Sequence, residues 1–343
     1  MAETFILYPT LDDQEVQKNI NSSTRFVILP DHLNVNPIGY PNTWEWCKGK
    51  KHYLEQMIID YPNCIFIFDN HPWIDADNVI WFPMTWLDCV MNNEYKNIQI
   101  DWNNKRNFTS HYLSGKYRIS RVLTNFWLAK KYPIDQLTYL NKPGNNTLDP
   151  LIDILISSRY RKVHHLDHKK YLEENWLPRP DGLWNNNSFF TNKLYKHFHS
   201  QSYLSILPAD NNIEISTTTS EKIFQALVSG VLILHLGNYK VHHLLKNLGF
   251  EIFDNFFDFD HLDSTDRYNI TIGGLESNKN KIIDHQIIEN QWFENQKKLK
   301  FNHKLCLNRK YWLEMFEEKI KIVKKSLSLS LSSDIPDTLS WIS

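Results

Sequence analysis

Cysteine is scarce in this chain: four in 343 residues, Cys47, Cys64, Cys89 and Cys306, with no CxxC spacing among them. That leaves no basis for a disulfide framework or a thiolate metal site, and the four read as reduced core thiols. An excess of one charge is missing too. With 38 Lys and Arg against 39 Asp and Glu, no global field draws the molecule to nucleic acid or an anionic membrane, so any polyanion contact must be local. No stretch approaches the roughly 18 apolar residues that a membrane-spanning helix needs. The opening Met1-Ala2-Glu3-Thr4-Phe5-Ile6-Leu7 carries neither a positive n-region nor a long apolar run, so the expectation is a cytoplasmic protein without a membrane span. No internal repeat recurs at a fixed period.

What is present is ample core material: 42% hydrophobic and 14% aromatic residues, in a chain long enough for two domains. Phe5–Tyr8, Phe26–Leu29 and Cys64–Phe68 are short, nearly continuous apolar runs, as expected of strands buried on both faces of a parallel sheet. Two of them run into polar residues, Pro30-Asp31-His32 and Asp69-Asn70-His71, where the chain leaves the sheet. In open α/β sheets ligands gather at such carboxyl ends. From Arg118 to Leu128 the apolar positions Ile119, Val122, Leu123, Phe126 and Trp127 follow helical spacing, with Arg118 and Arg121 three residues apart on one side. Breakers between 138 and 187, such as Pro143-Gly144 and Pro178, place a domain junction there. The spacing then predicts a strand at Tyr203–Leu207, a helix at Glu221–Ser229, a strand at Val231–Leu236 and a helix from Val241 to Leu248, ended by Gly249. Residues 284–326 are helix-compatible. The organisation expected is α/β, with domains at 1–165 and 166–325 and a tail at 326–343.

The chemistry concentrates at Thr217-Thr218-Thr219-Ser220-Glu221-Lys222. Ser220 is a good N-cap, and Thr218 with Glu221 can equally be read as a capping box. Neither explains Lys222, whose cation in the first turn opposes the positive end of the helix by roughly 0.3–1 kcal/mol. A bound anion would remove that conflict. A Ser/Thr-rich loop with Thr219 and Ser220, backbone N–H groups and a Lys at a helix start suit a diphosphate, and Glu221 can accept hydrogen bonds from ribose hydroxyls.

The block Ser220-Glu221-Lys222-Ile223-Phe224-Gln225-Ala226-Leu227-Val228-Ser229-Gly230 through Leu236-Gly237 resembles the donor-binding block of the family-10 fucosyltransferases. It is also similar to a block in glycosyltransferase-like proteins of large DNA phages and viruses. The latter group's ending is matched by Leu248-Gly249-Phe250 and Phe253-Asp254. The resemblance covers roughly 200–265, and more loosely 108–139 with Arg118 and Arg121. It implies a GT-B fold, two Rossmann-like domains facing a cleft, with 1–165 on the acceptor side and 166–325 holding the nucleotide sugar. Ile233 stands where the family has Pro, and Leu207-Pro208-Ala209-Asp210 falls where its acidic loop residue would be, so the sugar and base stay unassigned.

The resulting expectation is a transferase that moves a sugar from a UDP- or GDP-sugar to a hydroxyl, with no bound cofactor. Lys222 would stabilise the leaving diphosphate, with Arg118 and Arg121 as further clamps. Asp69, then Asp31, are the candidate bases for the acceptor hydroxyl, against the commoner role of such residues as turn caps. Glu214 lies seven positions before Glu221, one short of the Glu-x7-Glu spacing of many retaining enzymes, and is not invoked. His164, His165 and His168, with Asp167, sit close in sequence, and His197, His199 and the pair His242-His243 add more. Without a His-Glu-x-x-His motif or a Cys pair they predict no metal site. A carbohydrate acceptor fits Trp44, Trp46, Trp73, Trp81 and Trp86, whose rings either stack on sugars or fill the core. A second reading is a phage enzyme glycosylating a hydroxymethylated base, with Arg159–Lys162 and Lys297–Lys300 on the DNA backbone. A third is a non-catalytic glycan-binding or scaffold protein of the same fold.

Overall fold

The computed structural model describes residues 3–6, 20, 24–29, 54–69, 74–93, 95–112, 120, 123–124, 127–128, 131, 199–208, 221–237, 239–264 and 269–327. The chain divides into two compact units, one of Met1–Glu94, Glu214–Glu221 and Leu307–Ser343, the other of Tyr95–Ile213 and Lys222–Cys306. The division thus falls after Glu94, and the chain returns to the first unit at Glu214–Glu221 and again from Leu307. The junction expected near 165 lies outside the described residues.

The first unit holds a sheet of four parallel strands in sequential order: β1 (Glu3–Ile6), β2 (Thr24–Leu29), β3 (Ile65–Phe68) and β4 (Val79–Trp81). All four residues of β3 are buried, as its uninterrupted apolar run requires of a strand covered on both faces. On one face Val27, Phe66 and Phe68 pack with Leu54, Met57 and Ile58 of a helical stretch over 54–60. Val27 and Phe26 point to opposite faces. Beside Phe26 lies the Lys324 ammonium, 5.7 Å from the ring and contributed by the last described helix, Arg309–Ser326. Trp312, Phe316, Ile320 and Val323 form that helix's buried stripe at helical spacing, and Phe82 meets Trp312 and Phe316. Asn308 caps it, accepting from Tyr311 N at 3.1 Å. Cys64, read as a core thiol, is buried and donates to Thr24 O at 3.4 Å.

The second unit is built on three parallel strands, β5 (Phe108–Tyr112), β6 (Ser202–Pro208) and β7 (Leu232–Leu236), in that order. Helix α2 (Glu221–Val228) connects β6 to β7 and helix α3 (Val241–Asn247) follows β7, α1 being Met84–Met91 in the first unit. Helices at Gly274–Ile282, His285–Glu294 and Gln296–Cys306 complete the core, in which Tyr203, Leu204, Ile206, Leu232 and Leu234 meet Trp292 and Leu299. Both α2 and α3 stop at a glycine in the left-handed region, Gly230 at φ 62° and Gly249 at φ 85°. Each ending is a Schellman motif: Val231 N bonds Ala226 O and Gly230 N bonds Leu227 O, while Phe250 N bonds Leu245 O and Gly249 N bonds Lys246 O. Gly230 has a second constraint, because a Cβ there would lie 2.6 Å from the Trp102 ring and 2.8 Å from Ile100 Cδ1.

Among the described residues no helix is long and apolar enough to cross a membrane.

Candidate functional site

Helix α2 follows a strand of a parallel sheet, so it starts at the carboxyl edge of that sheet, where ligands of open α/β sheets collect. Ile223 through Val228 are all buried, including Gln225, whose amide donates to the Tyr95 hydroxyl at 3.2 Å. A helix enclosed along its length has only its ends to offer a ligand. At the far end the Val228 carbonyl bonds His303 Nδ1 at 2.6 Å, and Gly230 closes the turn. At the near end Lys222 is half-buried, the one residue of the described side chains of α2 that is not fully enclosed.

The helix therefore opens at Glu221, with Lys222 in its first turn. Thr219, Ser220, Arg118, Arg121 and Asp31 lie outside the described residues, as does the side chain of Glu221. Near the two arginines, Ser120, Leu123, Thr124, Trp127 and Leu128 are helical and buried, in keeping with the spacing over 118–128.

Asp69 is described, and it stands at the carboxyl end of β3 as expected. It is only 3% exposed. One carboxylate oxygen accepts from Thr85 N at 3.0 Å and the other from the Thr85 hydroxyl at 2.6 Å. Thr85 is in the first turn of α1, whose own N-cap position, Pro83, makes no side-chain cap bond. Asp69 thus caps α1 from another element, and its acid group is engaged in structure. Trp81 and Trp86, considered for a sugar-stacking groove, are buried as well, and Trp81 Nε1 donates to Asp69 O at 3.2 Å.

No family model matches the chain, and no curated protein or solved structure does.

The carboxyl edge of the second sheet carries a group of histidines. His235 lies buried in β7, and its Nδ1 accepts from Gly237 N at 3.1 Å. Its carbonyl accepts from His261 Nε2 at 2.9 Å, which puts the proton of neutral His261 on Nε2. Burial holds His261 below the usual histidine range. Lys240 enters α3 in the left-handed region at φ 53°, and its N–H bonds Leu262 O at 2.9 Å. That bond fastens the start of α3 to the 3-10 turn Asp260–Asp263. His242 and His243 follow with ring centroids 4.0 Å apart, and Phe259 stacks on His242 at 6.0 Å. His243 Nε2 is 4.0 Å from Asp263 Oδ1. Burial first, then the neighbouring His243, pushes His242 down to about 4, so its imidazole is neutral at pH 7. The sequence showed the His242-His243 pair. Asp263 is twenty positions beyond His243, and the Lys240–Leu262 and His261–His235 bonds hold its turn alongside.

A second polar group is sealed inside the same unit. Arg106 is buried and donates to the carbonyls of His199 (2.8 Å), Ser202 (2.6 Å) and Gly230 (3.3 Å), with its guanidinium over the Trp292 ring. His111 and His199 meet edge to face at 4.4 Å, and His111 Nδ1 bonds Ser202 Oγ at 2.5 Å. Burial, then the Arg106 charge, drives His199 down to about 3, and burial holds His111 low as well. Both rings are neutral. Their place deep among β5 and β6 makes them part of the core.

Proposed function

We propose that this chain is a glycosyltransferase that takes its sugar from a nucleotide-diphosphate donor. The diphosphate lies against the first turn of α2, with the Lys222 ammonium beside it. The observation that carries this reading is the form of α2: buried from Ile223 to Val228, its described side chains meet solvent only at Lys222, at a helix start on the carboxyl edge of a parallel sheet. A cation there works against the helix dipole, and an anion between the two turns that opposition into attraction. Two units that each contain a parallel sheet support the GT-B reading, with the first unit on the acceptor side.

In the transfer, the bond between the anomeric carbon and the diphosphate oxygen breaks and an acceptor hydroxyl bonds to that carbon. Negative charge grows on the departing diphosphate, and Lys222 with the helix end stabilises it. The hydroxyl's proton passes to a base. Asp69, whose oxygens also accept from Thr85, and Asp31 are the candidates for that base. A carbohydrate is the proposed acceptor.

A thermal-shift screen of UDP- and GDP-sugars tests the reading, because a ligand at 100 times its dissociation constant adds about 2.7 kcal/mol to the folded state. One nucleotide class should raise the unfolding temperature of the wild type and leave Lys222→Ala unmoved. Labelled donor is then offered to oligosaccharides and to hydroxymethylated DNA, and transfer to DNA alone would replace the carbohydrate acceptor. If no donor shifts the wild type, the enzyme reading fails and a non-catalytic protein is left.

A further inference from the structure

We infer that His242, His243 and Asp263 bind a divalent transition-metal ion of the zinc class. This goes beyond the transferase reading and does not depend on it. Each of the three offers one ligand atom, and these atoms lie within 4.8 Å of one another. Metal bonds of about 2.0–2.2 Å place tetrahedral ligands roughly 3.3–3.6 Å apart. Closing the difference takes small rotations of side chains, two of which, His243 and Asp263, are exposed. Two imidazoles and one carboxylate are a donor set that late first-row divalent ions favour, with the remaining positions left to solvent.

One side-chain feature points to a ligand, and the backbone beside it fixes the arrangement. The Nδ1 atom of His242 is buried and has no hydrogen-bond partner, an arrangement that native structures rarely leave unexplained. The backbone beside it is also strained: Lys240 is left-handed without being glycine, and it gives α3 no side-chain cap. The strain serves a purpose if it sets consecutive histidines against the turn that holds Asp263, because the Lys240–Leu262 bond joins those two segments directly. The nearby Lys246 is turned to another partner, Asp254 at 2.8 Å, so its cation is engaged away from the cluster. By contrast, the buried His111 and His199 have no carboxylate with them among the described residues and make no comparable set.

The test uses the full chain, stripped with a chelator, and titrates zinc by calorimetry and cobalt(II) by visible absorption. The wild type should bind one ion per chain with a tetrahedral or five-coordinate cobalt spectrum. His242→Ala and Asp263→Asn should each weaken binding by about 100-fold or more, since even changes outside the ligand shell cost 10–100-fold. Replacing His164, His165 and His168 together with Gln should leave it unchanged. Metal-free unfolding curves confirm that each variant is folded, and Asp263→Asn, on an exposed turn, keeps the test alive if His242→Ala is not. Absence of a stoichiometric ion in the wild type, wild-type affinity in folded His242→Ala and Asp263→Asn, or loss only in the His164/His165/His168 variant would overturn the site.

Discussion

Strand Ile65–Phe68 in the first unit and strand Phe108–Tyr112 in the second are both enclosed, but the first contributes four apolar side chains and the second buries Thr109, Ser110 and His111. The first sheet keeps its polar chemistry to its rim, and the Asp69 carboxylate there is closed on Thr85. The second sheet takes polar groups inside, where Arg106 must satisfy three carbonyls and two histidines must stay neutral. It also presents Lys222 and the His242 cluster at its carboxyl edge. Apolar strands specify a stable layer at little risk, whereas buried polar ones hold only while every partner is in place. The second unit therefore carries both the stricter packing and the candidate chemistry.

The largest way to break this contrast is Gly230→Val. The new side chain would meet Trp102 and Ile100 in a left-handed backbone, so a loss of about 2–4 kcal/mol is expected in chemical denaturation, confined to the second unit. A loss under about 0.5 kcal/mol would show that α2 ends more loosely than described.

Acid comes next. His199 is held near 3 in the folded protein and sits near 6.5 when unfolded, so between those values the unfolded chain takes up a proton that the folded one refuses. The stability this neutral histidine contributes is complete above pH 6.5 and is lost as pH falls toward 3, by about 1.4 kcal/mol per pH unit. His111 acts in the same direction. Unfolding midpoints from pH 7 to 5 should drop steeply and less so in His199→Gln. Equal slopes would mean the pair is reached by protons while folded.

Asp69→Ala should cost about 1–2 kcal/mol through the lost α1 cap. A purely capping Asp69 predicts an unchanged transfer rate in the folded variant, and a fall of 100-fold or more in kcat would assign Asp69 as the base. The smallest effect on stability belongs to Lys222→Ala, within about 0.5 kcal/mol, because the side chain is only half-buried.

The elements legible in the sequence were those whose signal is local. Ile65–Phe68 is an unbroken apolar run and Leu232–Leu236 is one interrupted at His235, and α2 and α3 end at glycines that a left-handed C′ position requires. Strand β1 was readable in kind: it includes Phe5 and Ile6 of the expected run and starts two residues earlier, at Glu3, while Leu7 and Tyr8 lie outside the described residues. Strand Phe108–Tyr112 gave no such signal, because Thr-Ser-His at its centre looks like loop, and its burial is set by partners near 200 and 285. Residues 284–326 read only as helix-compatible, which showed neither the buried stripe of the Arg309–Ser326 helix nor that Phe82, far back in the chain, is what it covers. The candidate site divides the same way. Lys222 at a helix start is visible in four residues, while the place of Asp263 beside His242 depends on tertiary hydrogen bonds made by Leu262 and His261.

Calorimetric titration of the wild type and Lys222→Ala with UDP- and GDP-sugars at two salt concentrations bears most directly on the donor site at α2. The account predicts saturable binding of one nucleotide class to the wild type, weakened by salt and lost by at least about 10-fold in the variant, as removal of a charge-assisted contact requires. Equal affinity in the two proteins, or no heat with any donor, would contradict it.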